Sequence, residues 1–71
     1  MIKIEQLAPL IKCGFVAMDK DGSWWWFEKE PIPSEEISQW LLFYGDVEKL
    51  TLFNIEPAKD WTKSLMRCGN E

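Results

Sequence analysis

The chain contains no histidine, only two cysteines and no long apolar run. Each shortage excludes something. Without imidazole, the commonest general base and the usual partner of a cysteine nucleophile are both missing, which leaves carboxylates and lysines as bases. No Cys/His spacing fits a zinc site, and no glycine-rich loop is present to cradle phosphate. No segment approaches the ~18 apolar residues of a membrane span. Met1-Ile2-Lys3-Ile4-Glu5 does not open a signal peptide, so the protein is expected to stay where it is made. These shortages predict a non-enzyme with no catalytic residues, no metal and no cofactor.

Two cysteines are too few for a disulfide scaffold, and in a reducing cytosol Cys13 and Cys68 are expected as thiols. A bridge between them would join the two ends of the chain, but sequence carries no information about their distance. Basic stripes are also lacking. Net charge is −4, and the segment Asp19–Glu36 holds all of it: six acids (Asp19, Asp21, Glu28, Glu30, Glu35, Glu36) against Lys20 and Lys29. Direct nucleic-acid binding is therefore disfavoured, because phosphate contacts supply most of that affinity. A protein partner with a basic surface suits the charge better.

What the chain has is aromatic and apolar mass. Seventy-one residues allow one domain, 1–71, with a thin stability margin. Hydrophobic residues make up 46% of it and five residues are Trp, which is enough for a core and argues against disorder.

Local patterning predicts an α+β domain: a small antiparallel β-meander of three to four strands with a short N-terminal and a C-terminal helix. Ile4, Leu7, Leu10 and Ile11 recur at helical spacing over 4–13, with Gly14 as a left-handed cap and Pro9 confining the start to near Glu5. Phe15–Met18 and Trp24–Glu28 read as strands joined by Asp19-Lys20-Asp21-Gly22, where Asp opens a type I turn and Gly22 takes positive φ. Glu30-Pro31-Ile32-Pro33 reads as a connecting loop. Residues 34–44 admit two readings. Ser34-Glu35-Glu36 could start a helix with Ile37, Trp40, Leu41 and Tyr44 on one face, or Gln39–Tyr44 could be a third strand, which its aromatic content favours. Gly45-Asp46 is a turn, and Lys49–Phe53 is a last strand. Glu56-Pro57 opens a final helix with Trp61, Leu65 and Cys68 as its apolar stripe and Gly69 as its end, both helices packing on one sheet face.

The most informative string is Trp24-Trp25-Trp26-Phe27. Alternation across a strand puts Trp24 and Trp26 on one face and Trp25 and Phe27 on the other. Two readings stay open. Both faces could be buried, within the domain or in a homodimer. Alternatively one face is an aromatic hot spot, with Glu28, Glu30, Glu35 and Glu36 as a charged rim and Trp40 contributing to the surface. Trp-rich sheets also stack on sugars, and on single-stranded bases when a basic groove is present, which here it is not. Asp19-Lys20-Asp21-Gly22 superficially resembles a calcium loop, with Glu30 at the twelfth position. The match fails at the sixth, where Trp24 stands in place of glycine.

The string Met18-Asp19-Lys20-Asp21-Gly22-Ser23-Trp24-Trp25-Trp26, then Glu30-Pro31, then Pro57-Ala58-Lys59-Asp60-Trp61-Thr62-Lys63-Ser64-Leu65, resembles small uncharacterised proteins of bacteriophages and prophages. In those, an acidic-Gly turn precedes aromatic residues and the chain ends on an Asp-Trp-x-x-Ser-Leu helix. The resemblance covers about half the chain and carries no catalytic residues. It implies a phage accessory protein in the bacterial cytoplasm that binds, and inhibits, a host or antiviral-defence protein, as anti-CRISPR proteins and DNA mimics do. A charge of −4 is modest for full DNA mimicry, which favours a mixed aromatic and acidic patch. The competing expectations are a structural homo-oligomeric phage component and a small-ligand or sugar-binding module.

Overall fold

The computed structural model describes residues 1–51 and 54–69. A single α-helical turn, α1 (Ile4–Leu7), runs into a 3-10 turn over Ala8–Leu10. Among the described residues six short strands follow: β1 (Gly14–Met18), β2 (Trp24–Phe27), β3 (Ile32–Ser34), β4 (Gln39–Leu41), β5 (Val47–Lys49) and β6 (Met66–Cys68). Four of them form one antiparallel sheet in the order β5-β2-β1-β6, while β3 and β4 pair as a separate two-stranded sheet. An antiparallel sheet of four strands with a short helix is as expected, but its order is not a meander, the described strands number six rather than three to four, and the helix placement differs. The outer strands β5 and β6 come from distant parts of the chain.

The β1–β2 hairpin follows directly from its turn. Gly22 N–H donates to Asp19 O at 2.9 Å, Asp19 N–H donates to Ser23 O at 2.9 Å, and Gly22 takes φ +93°. Asp21 Oδ1 accepts the Ser23 N–H at 2.8 Å and completes an Asx turn. Register pairs Val16 with Trp26 and Ala17 with Trp25.

Both helix expectations need correction, for separate reasons. At the N-terminus Pro9 lacks an N–H for a helical bond, so the helix tightens into a 3-10 turn and leaves extended at Ile11. Gly14 is not a cap. It opens β1, and a Cβ there would lie 2.5 Å from Trp26 Nε1 and 2.6 Å from Phe27 O. At the C-terminus Asp60 caps a single 3-10 turn, Trp61–Lys63, by accepting the Thr62 N–H at 3.0 Å. Ser64 then stops it. Its hydroxyl donates to Trp61 O at 2.6 Å and accepts the Met18 N–H at 2.8 Å, which pulls the chain against β1. Residues 66–68 pair with 14–16 as β6, so Trp61, Leu65 and Cys68 never form a helical stripe.

Four further expectations differ. Ile32–Ser34, expected as loop, forms β3, where Pro33 is tolerated because a two-stranded sheet consists of edges. Ser34-Glu35-Glu36 starts no helix; 35–38 is a turn, with Ser38 at φ +59°. The strand reading of 39–44 holds only over Gln39–Leu41, which pairs with β3. The strand expected over Lys49–Phe53 is β5, which runs Val47–Lys49 and is followed by β6; the part of that expectation falling on 52–53 lies outside the described residues.

Each sheet face has its own core. On one face Val16, Met18, Trp24 and Trp26 pack against Ile4, Leu7, Ala8 and Ile55. On the other, Ala17 and Phe27 pack against Trp40, with Phe15, Trp25, Leu42, Trp61 and Leu65 at the margin. The cover on this second face is therefore the β3–β4 hairpin and the 3-10 turn, not a second helix on the first face. Burying Trp side chains on both faces gives a chain this short two apolar layers from one strand.

Candidate functional site

Trp40 clamps the β3–β4 hairpin to the main sheet. Its indole N–H is shared between Met18 O at 2.9 Å and Trp61 O at 3.2 Å, and its ring meets Trp61 edge-on with centroids 6.4 Å apart. Its backbone N–H donates to Asp19 Oδ1 at 2.9 Å. Asp19 is buried, and burial pushes its carboxyl above the ordinary carboxylate range. The Trp40 N–H opposes that shift, the Asp21 charge adds to it, and the Trp25 indole and Lys49 offset it slightly. The Trp25 N–H is itself buried and does not reach hydrogen-bond geometry with any partner.

These groups edge a cleft of about 250 Å³ lined by Asp19, Trp25, Phe27, Trp40, Leu42 and Val47. Its one acid already serves the hairpin as a backbone acceptor. Among the described residues no group of three His, Cys, Asp or Glu side chains is placed to hold a metal.

The expected contact residues fall into two sets. Trp24, Trp26, Phe27 and Trp40 are buried in the domain and offer a partner almost no surface, Phe27 and Trp40 only as walls of the cleft. Within the string, burial therefore covers Trp24, Trp26 and Phe27 but not Trp25. Trp25 is half-buried on the cleft side, with Lys49 Nζ 5.8 Å from its ring centroid. Glu28, Glu30, Glu35 and Glu36 are exposed, but they do not make one rim. Glu35 and Glu36 sit on the β3–β4 turn, whose Ser38 O accepts the Lys20 N–H at the closed end of the β1–β2 hairpin. Glu28 lies at the open end, past Phe27.

The large exposed apolar side chains lie elsewhere. Phe43 and Tyr44 are 82% and 73% exposed, and Val47 follows them on the outer strand β5. Their loop is braced on Glu28, whose N–H donates to Asp46 O and whose Oε1 accepts the Asp46 N–H, both at 2.9 Å. Gly45 makes the turn at φ +105°, with Glu28 Oε1 3.0 Å from where a Cβ would be. Two aromatic side chains thus project from a loop tied at its base, with Glu28 and Asp46 exposed there; Glu48, on the other face of the strand from Val47, is ion-paired with Lys12 at 2.9 Å. The sequence signal was Phe43-Tyr44 directly before Gly45-Asp46, because aromatics entering a turn leave the sheet. Assigning them to a strand or helix face hid it.

No family model matches the chain, and neither a curated protein nor a solved structure is significantly similar to it. Among the described residues, no helix is long and apolar enough to cross a membrane.

Proposed function

We propose that this chain is a phage-encoded, non-enzymatic interaction protein that acts in the bacterial cytoplasm. It binds and inhibits a host or antiviral-defence protein with a basic surface, in the manner of anti-CRISPR and other anti-defence proteins. Phe43 and Tyr44 are its anchors, with Trp25 at the cleft margin. Glu28 and Asp46 orient the partner, Glu30 extends the acidic border, and Glu35 and Glu36 lie outside the contact. The observation that carries the reading is the exposure of two adjacent aromatic side chains on a loop braced by reciprocal Glu28–Asp46 hydrogen bonds. Rigid aromatics lose little entropy on docking and dominate binding energy, so each should cost ~2 kcal/mol or more of affinity when cut to Ala. The acids act mainly on association rate and salt dependence.

The test is site-specific photo-crosslinking. A photoreactive phenylalanine analogue at position 44 should give one discrete adduct with a bacterial protein, and the same group at exposed Glu36 should give none. Equal labelling from both positions, or none from position 44, refutes the assignment.

A structural homo-oligomer is the second reading, favoured by Val47 on the outer strand and by exposed Leu10. A β-edge with apolar neighbours can pair with a copy of itself, although Glu48 and Lys49 on this short strand oppose that. Solution mass measured over a wide concentration range separates the two, because only the oligomer grows heavier on concentration.

A further inference from the structure

The fold brings together the two cysteines that sequence leaves 55 positions apart. In the β1–β6 ladder Gly14 stands directly across from Cys68, which puts Cys13 one step off that register. The Cys68 thiol donates to Lys12 O at 3.4 Å, the carbonyl of the peptide group that leads into Cys13. On the other side, a Cβ on Gly69 would lie 2.5 Å from both the Cα and the N of Cys13. Three independent contacts therefore set the Cys13 backbone against residues 68 and 69. The thiols differ in access: Cys13 is exposed and Cys68 is buried.

We propose that Cys13 and Cys68 form a reversible disulfide, making the junction between the N-terminal segment and β6 a thiol–disulfide switch. Cys13 lies in the bend just before β1, with the Cys68 sulfur against the peptide group that leads into it, so the bridge requires the Cys13 side chain to turn toward β6. The oxidant is a small-molecule disulfide of the glutathione class. Cys13, as thiolate, attacks one sulfur of glutathione disulfide, forms a mixed disulfide and releases one glutathione thiolate. Cys68 then gives its proton to solvent, attacks the Cys13 sulfur and displaces the second glutathione. Two protein thiols are oxidised and one glutathione disulfide is reduced to two glutathiones. Burial and the neighbouring Cys13 both raise the Cys68 thiol above its ordinary range, so the second step is the slow one and quickens as pH rises. The bridge closes most of the chain into a loop and staples the α1 segment to the sheet.

Incubation of the folded full chain with glutathione disulfide, acid quenching and intact mass measurement test this. Wild type should pass through a single glutathionyl adduct and end two hydrogens lighter, with the adduct disappearing faster at alkaline pH. Cys68→Ser should stop at the adduct. Cys13→Ser should stay reduced while folded. The bridged form should melt higher than the reduced form by about 10 °C or more. A wild-type adduct that persists without resolving, or a bridge that forms only in denaturant, overturns the proposal. Because the adduct itself reports access to Cys13, neither outcome can be ascribed to an unreacted protein.

Discussion

Replacing Trp40 separates its role as core from a role as contact surface. Trp40→Phe keeps an aromatic ring and the backbone N–H to Asp19, but it removes the indole N–H that serves Met18 O and Trp61 O. Trp61 O keeps the Ser64 backbone N–H, which frees the Ser64 hydroxyl to turn to Met18 O, so neither carbonyl is orphaned and the lost bond costs about 1 kcal/mol. The smaller ring leaves a void and gives up part of the edge contact with Trp61, worth about another 1–2 kcal/mol together. The total is roughly 2–3 kcal/mol. For a domain of this size that lowers the thermal midpoint by about 10–20 °C. Trp40→Ala should cost about 3–5 kcal/mol. Phe43→Ala, at an exposed position, should stay within about 0.5 kcal/mol of wild type. Thermal unfolding followed by circular dichroism reads all three. A midpoint for Trp40→Phe within 2–3 °C (roughly 0.5 kcal/mol) of wild type would mean that the β3–β4 hairpin is not clamped as described, and that Trp40 is free to serve a partner.

Two other perturbations probe the frame. Gly14→Ala places a Cβ 2.5 Å from Trp26 Nε1 and 2.6 Å from the Phe27 backbone carbonyl, so β1 and β2 must separate. A loss of about 1–3 kcal/mol or more in chemical denaturation is expected, and wild-type stability would contradict the close approach. Asp19→Asn tests the buried carboxyl through pH. Its folded pKa lies above 3.8, so the folded state binds the proton more tightly than the unfolded chain does. Stability from this group therefore falls as pH rises from 3.8 through the folded value, and is level beyond it. Asparagine still accepts the Trp40 N–H without that cost, so the variant should gain on wild type across this window. Asp21 and Asp60, whose carboxyls are held low by Ser23 and Thr62, behave oppositely: what they contribute is lost as pH falls through their folded values. Asp60 is common to both proteins and cancels in the difference, whereas Asp21, whose charge acts on Asp19, cancels only in part. A difference independent of pH, or one moving the other way, would refute the assignment.

How far the fold could be read from sequence follows the range of the forces involved. The β1–β2 hairpin was legible because Asp19, Asp21 and Gly22 specify their turn through bonds to residues two to four away. The C-terminal segment was not, because Trp61, Leu65 and Cys68 satisfy a helical period by coincidence. What decides their conformation is the Ser64 hydroxyl meeting Met18, 46 positions earlier. β3 was obscured by Pro33, a residue that argues against strands except at edges, and whether a strand is an edge is a property of the whole sheet. Alternation gave the two faces of the Trp string, yet which face is covered depends on the β3–β4 hairpin and α1 arriving from either side. The exposed Phe43-Tyr44 pair carried only the weak signal of the Gly45-Asp46 turn after it, and was masked for the converse reason. Aromatic residues are expected inside, and only the Glu28–Asp46 brace leaves them out.

The measurement that bears most directly on the contact surface is recovery of partners from bacterial lysate with tagged wild type, the Phe43→Ala/Tyr44→Ala double variant and Trp25→Ala, at low and high salt. One stoichiometric bacterial protein, lost with the double variant and weakened by salt while the variant stays folded, is the predicted result. Undiminished recovery by a folded double variant would contradict the braced aromatic loop as the site of docking.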